Sequence, residues 1–151
     1  MNNFQAQLTF FENNTESFEK VNLSFSEGSV GWHIAHSCLV ITSIINVLSA
    51  SNPAEYTSKF NWKKSIIFFT NKIPRGKGKA PERVKPRESP TKDSLLLQIN
   101  EAKQKIELLN NLNANTYFEH PYFGNLNLKD AQKFLHIHNE HHSKIIKDII
   151  K

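Results

Sequence analysis

Cysteine is nearly absent from this chain. The single copy, Cys38, has no partner for an internal disulfide, so the fold must rest on its core, and the usage fits a reducing compartment. Long apolar runs are also missing. The longest, IAHSCLVITSIINVL, is interrupted by His36, Ser37, Thr42, Ser43 and Asn46, which makes it too short and too polar for a membrane span. The opening residues, MNNFQAQLTFFENN, lack the basic start and apolar stretch of a secretory signal. These absences lead us to expect a soluble, cytoplasmic protein with no membrane partner. No internal repeat is visible, and no stretch alternates with period two for long enough to demand a sheet.

What is present suffices for one domain over residues 1–151, with an apolar content of 38% to which eleven phenylalanines contribute heavily. Four segments read as helices. Phe4, Leu8, Phe11, Phe18 and Val21 form one stripe at three-, four- and seven-residue spacings, which predicts a first helix of about five turns. Gly28 and Ser29 break and cap, and a second helix runs from about Val30 to Leu48 until Pro53 forbids continuation. Residues 54–71 hold a shorter amphipathic piece of uncertain type. A third long helix follows Pro90 and Thr91, and a fourth opens at the N-cap Asn127 with Asp130 in its first turn. The expectation is an all-α four-helix bundle with a long crossover between the second and third helices.

The crossover holds most of the positive balance. The chain carries a net +5, and seven basic residues fall between Lys72 and Arg87 against Glu82 alone. Pro74, Pro81, Pro86 and two glycines keep the stretch 72–90 out of regular structure. We read it as a solvated loop ahead of a phosphate-binding arm or a lid. No aromatic residues interleave the charges and no helix-turn-helix pattern accompanies them, which speaks against nucleic acid as a partner.

Four of the seven histidines lie in HIHNEHH, residues 136–142. On a helical wheel of about 100° per residue, Ala131, Phe134, His142, Ile145 and Ile149 fall within about 40° of His138. His138 and His142 therefore lie in the apolar stripe, His136 on the charged face, and His141 on the flank. Two imidazoles at i and i+4 converge on one point, the spacing by which a helix contributes two nitrogen ligands. Burying them is costly unless a metal or buried hydrogen bonds satisfy their nitrogens. The zincin motif is excluded, because Asn139 stands where that motif needs glutamate. A third ligand comes best from GWHIAHSCLV, where His36 shares a face with Trp32, Leu39, Val40 and Ser43 and His33 sits about 60° away. Cys38, about 200° around from His36 with Ile34, Ile41 and Ile45, reads as a small buried apolar residue. That second apolar face predicts either a central helix or a homodimer contact.

SVGWHIAHSCLVI followed by HNEHHSKII resembles the DinB/YfiT-like superfamily of metalloproteins. HPYFGNLNLKDAQKFLHIHNEHH is closer to a branch in which His-Pro-x-Phe-Gly-x-Leu precedes the last helix. Carried over position by position, the resemblance implies metal ligands at His36, His138 and His142, the three that the wheel selects. It departs from the family at Ile145, where relatives often carry glutamine. His120, in EHPYFG, reads as a loop histidine fixed by Pro121, with a place near the mouth of the site as the lesser alternative.

Three imidazoles without thiolate suit a divalent transition metal, with zinc or nickel ahead of iron or copper, and leave a coordination position open. By resemblance, the expected function is a metal-dependent hydrolase or thiol-dependent transferase acting on a small-molecule substrate, assembled as a homodimer. The alternative is a non-catalytic metal-binding stress or interaction protein. No residue stands out as general base.

Overall fold

The computed structural model describes residues 2–76 and 78–151; Met1 and Lys77, one of the seven basic residues of the crossover, lie outside the described residues. The described chain is predominantly helical. Its α-helices are α1 (Asn2–Asn13), α2 (Val30–Ala50), α3 (Trp62–Thr70), α4 (Lys92–Leu108) and α5 (Leu128–Ile150). Two short strands, β1 (Tyr117–His120) and β2 (Gly124–Asn127), form an antiparallel hairpin that pairs Phe118 with Leu126 and His120 with Gly124.

Local signals set most helix starts. The Ser29 side chain accepts from the Trp32 backbone amide at 3.1 Å and starts α2. Thr91 and Ser94 exchange backbone and side-chain bonds in a capping box at α4. Asn127 accepts from the Asp130 amide at 3.0 Å and starts α5. Helix α3, the short amphipathic piece of the 54–71 segment, is capped by Asn61 and stopped by Asn71 in the left-handed region at φ 51°.

The first helix is shorter than its apolar stripe predicts. It stops at Asn13, where the Asn14 side chain donates to the Phe10 carbonyl at 2.7 Å and Thr15 Oγ1 to the Glu12 carbonyl at 2.9 Å. Polar side chains that take up last-turn carbonyls compete with further helix. A single 3-10 turn and an irregular segment follow, and Val21 is left exposed. That segment returns to α2 at Gly31, whose amide donates to the Phe18 carbonyl at 2.9 Å. A Cβ at Gly31 would sit 3.0 Å from that carbonyl oxygen and 3.0 Å from Pro90, so any larger residue would push the Phe18 backbone and Pro90 away from this close approach.

The hairpin is a second departure. Strands of four residues are too short for a period-two pattern to register, and the turn rests on Gly124 at φ 70°. Phe118 and Leu126 face inward from it and are buried.

Helices α1 and α2 each contact both α4 and α5, and the core fills the space among the four. Leu8, Phe11, Ile34, Ile41, Ile45, Leu48, Leu95, Ile99, Leu135 and Ile146 are among its fully buried side chains. Among the described residues α2 is the one helix long and apolar enough to cross a membrane, yet 61% of that window is buried inside the protein. Its second apolar face, Ile34, Cys38, Ile41 and Ile45, is covered within the chain. The central-helix alternative holds, and this face offers no surface to a second copy.

Candidate metal centre

The cap at Ser29 fixes His33 and His36 in the first two turns of α2, and the cap at Asn127 fixes His138 and His142 midway along α5. Contact between the two helices brings these side chains together. His36, His138 and His142 are buried, and one ring nitrogen from each lies within 4.8 Å of the others. Their ring centroids are 4.5 to 5.1 Å apart.

The remaining ring nitrogens determine what the cluster can bind. His36 Nδ1 donates to the Val84 carbonyl at 2.7 Å, so its lone pair lies on Nε2, the tautomer a ligand needs. Trp32 stacks on the same ring at 5.0 Å and 16°. His142 Nδ1 meets His33 Nδ1 at 2.8 Å, and His33 Nε2 meets Ser26 Oγ at 2.9 Å. If His142 Nε2 ligates an ion, His142 donates to His33 and His33 donates to Ser26, whose oxygen also accepts the Gly28 amide at 3.0 Å. His138 Nδ1 is buried with no hydrogen-bond partner among the described residues. An unsatisfied buried nitrogen costs about 1–3 kcal/mol, so the protein alone leaves this cluster incompletely satisfied. That is the pattern expected where an ion completes it, and the donor set fits a divalent transition metal.

Burial keeps the imidazoles neutral. It pushes His33, His120 and His141 down to about 4, with the positive charge of Arg75 adding to the effect at His33 and His141. Burial holds His138 and His142 well below the ordinary imidazole range, reinforced by their histidine neighbours. It lowers His36 as well, partly offset by the Val84 bond. At neutral pH all six have lone pairs rather than charge, the state that metal binding requires. Cys38 is no competitor: burial, with Glu101 nearby, pushes its thiol up to about 12.

A cleft of about 1010 Å³ reaches the cluster and is lined by six of the seven histidines. His33, set aside in favour of His36 on the wheel, is buried and bonded to His142. Its signal was the H-x-x-H spacing of α2. His120 ends β1, stacks on Phe123 at 4.2 Å and 9°, and lines the cleft. It ends a strand rather than standing in a loop, and it lines the same cleft as His36, His138 and His142. His141 is half-buried on the flank of α5. His136 is the exception, although it is not on an open face. It is half-buried against α1, where Gln7 Nε2 lies 2.9 Å from its Nδ1 and donates to its carbonyl at 3.0 Å.

The basic crossover is not a free loop. Ile73 packs against the core, Val84 is buried, and Arg75 pairs with Asp148 at 2.8 Å. Residues 73–76 and 78–81, with Arg83 and Val84, line one side of the cleft as a strap, and the Val84 carbonyl is held by His36 itself. Ile73 and Val84 anchor the stretch while Arg75, Lys79 and Arg83 between them stay exposed, so anchoring it does not strip those charges of solvent. Comparison of the chain with known family models, curated proteins and solved structures found no match.

Proposed function

We propose that this chain is a metal-dependent enzyme, a four-helix bundle of the DinB/YfiT-like type holding one divalent transition metal on His36, His138 and His142. One observation carries the reading: three buried, neutral histidines converge where a large cleft reaches them. Three protein ligands leave a position for a small-molecule substrate, which separates a catalytic from a closed structural centre. The cleft thus favours an enzyme over a non-catalytic metal-binding stress or interaction protein. Zinc and nickel suit three imidazoles best, with iron and copper next.

When bound, such an ion lowers the pKa of a water or thiol at its open position and so supplies a nucleophile near neutral pH. The chain's own residues orient and enclose. Val84 and Trp32 fix the His36 ring, and His33 fixes the tautomer of His142. A hydrolase or thiol-dependent transferase working in the cytoplasm fits these parts. Cobalt substitution tests the reading, because the visible bands of a cobalt(II) centre report its ligands. Addition of 2-mercaptoethanol or azide should shift them strongly. Bands that form but stay fixed would mark a closed, structural centre and favour the non-catalytic alternative.

A further inference from the structure

The charges that line the cleft are almost all of one sign. Lys63, Arg75, Lys79 and Arg83 stand against Glu27 as the single acid among the described lining residues. Arg75 is paired with Asp148, and Lys63 lies over the Trp62 ring at 5.8 Å. Lys79 and Arg83 have no acidic partner among the described residues. The position of Arg83 is constrained: its neighbour Val84 is buried and bonded to His36, and consecutive Cα atoms lie about 3.8 Å apart. Arg83 is thus tethered one residue from the atom that orients a metal ligand. None of the six lining histidines can supply a negative charge, and a bound dication would make the cleft more positive still.

The walls have the opposite character. Trp32, Ile44, Trp62, Ile66, Phe118 and Phe123 line the cleft, and Trp62 and Ile66 leave apolar surface exposed. A pocket of this kind buries the apolar body of a ligand and orients it through a few placed polar groups. Resting on the metal-centre reading above, we infer that the substrate is an amphipathic anion. Its aromatic or aliphatic body lies along the tryptophan-lined wall, and its carboxylate or phosphate group is drawn by Arg83 and Lys79 beside the histidines.

The test uses the two tryptophans of the chain, Trp32 and Trp62, both in the cleft, as fluorescence reporters in the full chain. 4-Phenylbutyrate, phenyl phosphate, 4-phenylbutanol and 4-phenylbutylamine are titrated into zinc-loaded and metal-free protein, with zinc content measured on the same samples. We expect at least one anion to bind tenfold or more tighter than the amine and the alcohol in both forms. The better of the two identifies the head group. Arg83→Gln with Lys79→Gln should shrink that margin several-fold while leaving zinc content unchanged. Equal binding of amine and anion, or a margin untouched by the double substitution, would overturn the inference. Failure of zinc to load would overturn the metal centre alone, since the preference in metal-free protein still decides the nature of the ligand.

Discussion

His33 and His142 meet nitrogen to nitrogen, Nδ1 to Nδ1, at 2.8 Å in the buried cluster. Only one of the two can carry the shared proton. If His142 ligates through Nε2, the proton belongs to His142 and His33 accepts, so an ion at the centre selects the tautomers of both rings. Partners of this type are worth about 10–100-fold in metal affinity. We expect His33→Ala to weaken zinc binding by roughly that factor, measured by competition with a chromophoric chelator, while helical circular dichroism persists. Ser26→Ala, one bond further away, should cost less. Unchanged affinity in His33→Ala would remove this residue from the centre.

Chelation should leave the fold standing. The core among α1, α2, α4 and α5 is apolar and fully buried without reference to the histidines, and a chain of this length can supply a core of its own. EDTA should lower the melting temperature of metal-loaded protein through loss of the bound ion and leave helical ellipticity at 25 °C intact. Unfolding on chelation would mean that the metal's binding energy is part of the folding energy.

Acid should act on the metal-free protein in a defined window. Burial lowers His33, His120 and His141 to about 4 from an ordinary value of 6.5. Below pH 6.5 the unfolded chain takes up protons that the folded chain refuses, so stability is full above 6.5 and falls as pH drops toward 4. Urea midpoints measured in EDTA from pH 7.5 to 4 should decline mainly across that interval. A flat profile there would show that these rings are protonated in the folded state.

The basic strap should bind polyanions weakly and without sequence preference. Arg75 is paired with Asp148 and Lys85 with Glu82, and Lys79 and Arg83 line the cleft, which leaves Lys72 and Arg87 as the described basic residues of the stretch outside those roles. Binding driven by counterion release should collapse between low salt and ~150 mM. Tight binding of a defined nucleic acid at ~150 mM salt would contradict the assignment of this segment to the cleft.

Helix starts were legible because caps are local: Ser29, Thr91 and Asn127 each bond an amide three residues on. His138 and His142 were legible because four residues on one helix face is also a local relation. The end of α1 was obscured when an apolar stripe continued past the Asn13-Asn14-Thr15 stop. The roles of His33, His120 and Val84 depend on contacts between segments distant in sequence. His33 lies 109 positions from His142, and His36 lies 48 from Val84. A wheel offset of about 60° therefore did not exclude His33 from the cluster. The charge of the crossover hid that Ile73 and Val84 anchor it.

If His36, His138 and His142 hold one metal ion, elemental analysis will show it in protein purified without a histidine tag, compared with His36→Ala and the double variant His138→Ala/His142→Ala. We expect close to one divalent transition metal per wild-type chain and none in stoichiometric amount in either variant, with helical circular dichroism retained in all three. Full metal occupancy in the double variant, or a metal-free wild type that zinc and nickel fail to load, would contradict it.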